Sequence, residues 1–170
     1  MQKTLIEHIE VGSGGASSIE FTSISSEFTD LYLVCSVRND SGNLTFNINP
    51  NGSTTNKTRI NLQGSGSSVS SASGTDITPL QSSSSYTSNA FASTFVYIPN
   101  YASSNNKSIS IDTVTENNGT TSYQRLQAAL WSDTTAISSL ECSTASNFAQ
   151  FSSFTLYGVS SGSDGTTTVS

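Results

Sequence analysis

A chain of 170 residues with a formal net charge of −6, 11% charged and 34% apolar residues has room for one domain and one core. Ser, Thr and Asn make up about 43% of it, so hydroxyls and amides, not ions, keep it in solution. Its six Lys and Arg (Lys3, Arg38, Lys57, Arg59, Lys107, Arg125) are scattered singly, which excludes the counterion-releasing basic patch of a nucleic-acid binder, and no apolar run approaches the ~20 residues of a membrane span.

Leu, Ile, Val and Phe reach only about a fifth of the chain, close to the disorder boundary. Two features argue for a fold: the charge is too small for self-repulsion, and the apolar residues alternate. Met1 to Val11 places Leu5, Ile9 and Val11 at strand spacing, but Glu7, His8 and Glu10 interrupt it as a secretory apolar block, so no export by that route is expected. After the turn from Gly12 to Ser18 come Ile19 and Phe21. Asp30 to Val37 then aligns Leu31, Leu33, Cys35 and Val37 on one face, and Leu44, Phe46 and Ile48 alternate with Thr45, Asn47 and Asn49.

Ile60 and Leu62 mark the next strand. Gln63 to Ser88 is the least periodic stretch and reads as a long surface loop or irregular edge, with at most a short strand near Ile77 to Leu80. Phe91, Phe95 and Tyr97, then Ile109 and Ile111, resume the alternation. Ser122 to Trp131 fits helix or strand, and the Asn117 to Thr121 turn favours a strand that forms a hairpin with Ile109 to Glu116. Ile137 to Cys142 and Phe154 with Leu156 complete about ten short strands. The turns between them are rich in Gly, Asn, Asp and Ser, which tolerate left-handed backbone or hydrogen-bond to it.

The pattern predicts an all-β chain: an antiparallel β-sandwich or jelly roll of about 8–10 strands. The domain is expected over residues 1–159, with 1–11 a candidate docking strand or arm and 160–170 a low-complexity tail. Cys35 and Cys142 read as small buried hydrophobes, although a bridge across a sandwich is conceivable.

Chemistry-bearing motifs are scarce. His8 is the only histidine, so no His cluster can hold a metal, and its neighbours Glu7 and Glu10 read as a solvated face. Asp112 and Glu116 share a strand face and Asp133 follows Trp131, a pattern that scattered acids produce without a glycosidase. Gly12-Ser13-Gly14-Gly15 precedes a strand, not the helix N-terminus that a phosphate cradle needs. Asn-x-Ser/Thr sequons at Asn43, Asn51, Asn56, Asn106 and Asn118 occur at the frequency composition dictates. No catalytic residue, metal or cofactor is expected. The aromatics Tyr97, Tyr101, Tyr123 and Trp131 could stack on sugar rings if exposed, or pack the core or a subunit interface if not.

Ile9 to Phe21, the run Phe28 to Leu33, the segment Tyr97-Ile98-Pro99-Asn100-Tyr101, Leu130-Trp131-Ser132 and Thr155 to Val159 together resemble virion structural proteins of tailed phages, especially marine and cyanobacterial ones. The resemblance spans roughly Ile9 to Val159. It implies a non-enzymatic virion part, either a capsid decoration (cement) protein or a fibre-type, receptor-binding protein. The expected partners of a decoration protein are the major capsid protein and copies of itself, in a trimer or other ring; those of a fibre protein include host glycan. Assembly in the bacterial cytoplasm and exposure on the particle surface follow, and a surface with few ions suits a saline medium that screens ion pairs. A free carbohydrate-active enzyme is the least favoured class.

Overall fold

Eleven strands and no helix form the described part of the chain. The structure, a computed structural model, describes residues 2–119, 122–160 and 169. The strands are β1 (Gln2–Glu10), β2 (Ala16–Phe21), β3 (Asp30–Val37), β4 (Asn47–Pro50), β5 (Lys57–Gly64), β6 (Val69–Gly74), β7 (Ala92–Pro99), β8 (Lys107–Thr115), β9 (Tyr123–Trp131), β10 (Leu140–Phe148) and β11 (Ser153–Ser160). They pair antiparallel in two sheets, one of eight strands in the order β1-β11-β3-β7-β8-β9-β5-β6 and one of three in the order β2-β10-β4. The chain is therefore an antiparallel β-sandwich, as its alternation predicts.

The core lies between the small sheet and the inner face of the large one. Leu31, Leu33, Cys35 and Val37 of β3 and Phe154 and Leu156 of β11 point inward, against Ile48 of β4 and Leu140, Cys142 and Phe148 of β10. Phe46, Phe148 and Phe154 meet edge to face, with centroids 4.9–6.3 Å apart, the arrangement that opposes ring edges to ring faces. Gly158 gives the space for Phe28, since a Cβ there would lie 2.3 Å from that ring. Cys35 and Cys142, in opposite sheets, are free buried thiols, and burial pushes both thiol pKa values up.

The turns follow the residue logic of the sequence. Asn51, Asn56, Asn89, Asn100 and Asn118 all adopt positive φ between 50° and 63°, the left-handed conformation that Asn tolerates best after Gly. Tyr123–Trp131 extends as β9 and pairs antiparallel with β8, so for Ser122–Trp131 the strand reading holds over the helical one.

Strand bounds shift by up to three residues, β4 starting at Asn47 and β10 at Leu140, and four larger details differ from the expectation. The Gln63–Ser88 stretch contains a strand, β6, which makes eleven; its sequence Val-Ser-Ser-Ala-Ser-Gly carries no apolar alternation to signal it. Ile77–Leu80 is not a strand. Ile77 and Leu80 plug the core, and the segment covers the β4 edge: the amides of Ile48 and Phe46 donate to the carbonyls of Ile77 (2.9 Å) and Pro79 (3.2 Å). Ser143–Asn147, read as a turn, lies inside β10, where the ladder to β2 is irregular. Residues 1–11, read as a candidate docking arm, supply β1, which pairs with β11 of its own sheet while Ile6 and Ile9 pack on the core. The expected tail falls almost wholly outside the described residues.

Candidate functional site

The large sheet changes character along its width. On β3 the inward residues are apolar, and β7 and β8 bury Ala92, Val96, Ile98, Ile109 and Ile111 with Thr94, Thr113, Thr115 and Lys107 toward the strand ends. On β5 the inward residues are Lys57, Arg59, Asn61 and Gln63, while Ile60 and Leu62 face solvent at 67% and 52% exposure. Cross-strand partners point to the same face, so the register Ile60↔Ala128, Leu62↔Leu126 and Thr58↔Leu130 puts Leu126, Ala128 and Leu130 of β9 beside them.

The 75–80 segment meets part of the inner, polar side, while Lys57 donates instead to Asn49 Oδ1 of β4 at 2.5 Å. Arg59 forms an ion pair with Asp76. Arg125 donates to Gln63 Oε1 at 2.5 and 2.9 Å and to the Thr78 carbonyl at 3.3 Å. The Gln127 carboxamide, with its nitrogen toward the Thr78 carbonyl, exchanges bonds of 3.1 and 3.2 Å with the Thr78 backbone. Burial lowers the pKa of both guanidinium groups, and both stay charged because their ordinary values are so high. This end of the sheet is inside out: polar within, apolar without.

Outside, a groove of about 600 Å³ runs between Thr58, Ile60, Ser73, Thr75, Ser108 and Leu130. A second depression of about 360 Å³ continues it past Leu62, Leu126 and Ser110. The two depressions bring exposed Ile60, Leu62 and Leu126 together on one face, which makes it a candidate contact surface.

Farther along the same face, Tyr32, Phe95 and Tyr97 line a shallow concavity of about 300 Å³ with Ser110 and Asp112. The Tyr32 and Phe95 rings lie 6.2 Å apart and 23° from parallel, and the Lys3 ammonium sits 3.6 Å from the Tyr32 centroid. The Tyr97 hydroxyl donates to Asp30 Oδ2 at 2.8 Å, and that bond raises the phenol's pKa. Burial, and secondarily Asp112, raises the Tyr32 phenol. Both phenols stay neutral; the Lys3 ammonium already covers one face of Tyr32, and Ser110 and Asp112 supply a hydroxyl and a carboxylate to bond a polar ligand's edge.

Of the four aromatics named from the sequence, only Tyr97 lies in this concavity. Tyr101 and Trp131 are buried at 0% and 2% exposure. Tyr101 anchors its loop by donating to the Ser25 carbonyl, and Trp131 lies below Lys107, whose ammonium donates to the carbonyls of Ser103 and Asn105 at 2.7 and 2.6 Å. Neither can stack on a ligand, so Trp131→Ala would report on folding, not on binding. Tyr123 sits at the start of β9, in a separate depression with Glu116 and Gln124.

The structure adds Tyr32 and Phe95. Tyr32 was legible as the outward partner of Leu31 and Leu33. Phe95 was not, because β7 is apolar on both faces and period two cannot choose between Phe95 with Tyr97 and Val96 with Ile98; the latter pair is buried.

The acids singled out in the sequence, Asp112, Glu116 and Asp133, do not form a catalytic pair. Asp112 and Glu116 are four residues apart on extended chain, about 13 Å, beyond the ~5–9.5 Å of a glycosidase pair. Glu116 accepts from the amides of Asn117 and Asn118 at 2.9 and 2.8 Å, and Asp133 from that of Thr135 at 2.8 Å; both are turn caps. His8 Nδ1 pairs with Thr155 Oγ1 at 2.8 Å on the exposed β1–β11 ladder. Among the described residues no three His, Cys, Asp or Glu gather as a metal site, and no helix is long and apolar enough to cross a membrane. Comparison with protein-family models, curated proteins and solved structures returns no match.

Proposed function

We propose that this chain is a virion structural protein of a tailed phage, a decoration (cement) protein that lays the outer β5–β9 face against the major capsid protein and braces the head shell. The observation that carries a docking role is the outward placement of Ile60, Leu62 and Leu126 over a polar interior. Exposing aliphatics while burying Lys57, Asn61 and Gln127 costs the monomer stability, a sequence choice that makes sense if a partner covers the face. Each such side chain removed from water contributes about 1.5–3 kcal/mol, against an association cost of ~4–15 kcal/mol, so one copy binds weakly and the layer fills as the free concentration of the protein rises. The capsid as the partner comes from the sequence resemblance.

Purified shells lacking the protein should take it up and gain heat resistance. The variant Leu62→Asp/Leu126→Asp, altered only at exposed positions, should fold and fail to bind. Uptake unaffected by the double variant, or label found at the tail, contradicts the reading.

A second reading, a receptor-binding protein that contacts host glycan, is favoured by the concavity of Tyr32, Phe95 and Tyr97 with Asp112, since an aromatic platform beside a carboxylate suits a pyranose ring. In that case Phe95→Ala and Asp112→Asn should each abolish adsorption to host cells and leave shell stability unchanged.

A further inference from the structure

The exposed strand edges are treated very differently. β1, one edge of the large sheet, carries Lys3, Glu7, His8 and Glu10 and a bulge between Leu5 and Glu7. β2 carries Glu20 and an irregular ladder, and β4 ends in Pro50 beneath the 77–80 segment. Charges, bulges, proline and cover are the devices that stop an edge from pairing with another chain. β6, the other edge of the large sheet, has none of them among the described residues. Five of its six residues are exposed, its pairing to β5 is regular through all six, and no ionisable side chain occurs from Gln63 to Thr75.

We propose that β6 is a self-association edge: two copies of this chain pair β6 to β6, antiparallel about a two-fold axis, joining two eight-stranded sheets into one. The second copy is the occupant for three reasons. An antiparallel edge is self-complementary, because each strand offers the same row of amides and carbonyls to its two-fold mate. The segment is neutral in a chain of net charge −6, so this is where two like-charged copies approach without repulsion. Its Ser, Ala and Gly side chains are short enough for a neighbour to come alongside.

Register follows from the pleat. Val69 and Ser71 share the outer face with Leu62 through the β5 ladder, and directly opposed residues must point to one side, so the axis passes through a residue and not between two. Centring on Ser71 or Ala72 uses most of the strand. A three-fold ring built on edges would need β6 to pair with a second, different edge, and β1 is blocked; β6 therefore selects pairs. The dimer would carry two copies of the β5–β9 face on one side, but the inference stands apart from what that face binds.

The test uses the full chain alone, without capsids. Light scattering at micromolar concentration should give twice the 17.8 kDa chain mass, and Ser71→Lys and Ala72→Lys should halve it with an unchanged far-ultraviolet circular dichroism spectrum. Because Cys35 and Cys142 are buried, mild oxidation of Ser71→Cys or Ala72→Cys should yield a covalent dimer, while Lys3→Cys on the opposite edge should not. A monomeric or trimeric wild type, a dimer that survives both Lys variants, or cross-linking through Lys3→Cys alone would overturn the proposal.

Discussion

Phe151 stands out among single residues. It turns the chain between β10 and β11 at φ 69° with its ring 62% exposed, and its amide donates to the Val11 carbonyl at 2.9 Å. A bulky residue in left-handed backbone costs about 1–3 kcal/mol, and an exposed ring returns little of that through packing. Glycine removes the strain at a smaller entropic cost of ~0.5–1 kcal/mol. Phe151→Gly should therefore stabilise the fold by about 1 kcal/mol, read as a higher urea midpoint at unchanged slope; a lower midpoint would mean that the ring packs in solution. The Asn residues at positive φ follow the same physics without the penalty, which is why the turns around Asn51, Asn100 and Asn118 were readable from residue type alone.

Between β6 and β7 the chain crosses a stretch with little apolar content, and one side chain organises much of it. Arg38, just past β3, donates to the carbonyls of Thr87 and Ala90 at 2.9 Å, Ser84 at 3.1 Å and Tyr86 at 3.2 Å. A planar fork with five donors can hold carbonyls that converge from one loop; an ammonium cannot reach as many. Arg38→Ala should cost roughly 2 kcal/mol and open the loop to chymotrypsin at Tyr86, with Arg38→Lys intermediate, as limited proteolysis would measure. Cleavage at wild-type rate in Arg38→Ala would show that Asn39, Ser41 and their neighbours fix the loop unaided. Those neighbours form a second buried network, in which Asn39 Oδ1 accepts from Ser41 and Ser146 while Gln81 reaches Thr144. Polar residues so common in this chain were read as surface; here they serve as interior cement between the sheets.

For the molecule as a whole, acid is the informative variable. Asp40, Glu116 and Asp133 each have a carboxyl pKa below the ordinary 3.8 or 4.5, because folded turns aim donors at them: the Asn147 amide for Asp40, that of Asn118 for Glu116 and that of Thr135 for Asp133. The unfolded chain then binds protons more readily than the folded one, so the stabilisation is complete above the ordinary values and is lost as pH falls through the lowered ones. The urea midpoint should be flat down to about pH 5 and should decline below about pH 4, and Asp40→Asn should weaken that decline. All three groups are exposed, so added salt should shrink the effect.

Alternation alone determined the fold class, the β8–β9 hairpin, the core of β3 and β11 and the burial of both cysteines, because each depends on period two and local turn chemistry. It could not decide which face of a strand is inside where both faces carry apolar groups, as on β7, nor that Ile60, Leu62 and Leu126 would face outward. Period two gives a strand two faces, but only the partner sheet defines which one is the core, and the three-stranded sheet leaves the β5 end of its larger neighbour to the polar 75–80 segment. For the same reason β6 was invisible in sequence: a strand of small polar residues exists only because β5 pairs with it, and its open, uncharged edge emerges only when the sheet is assembled.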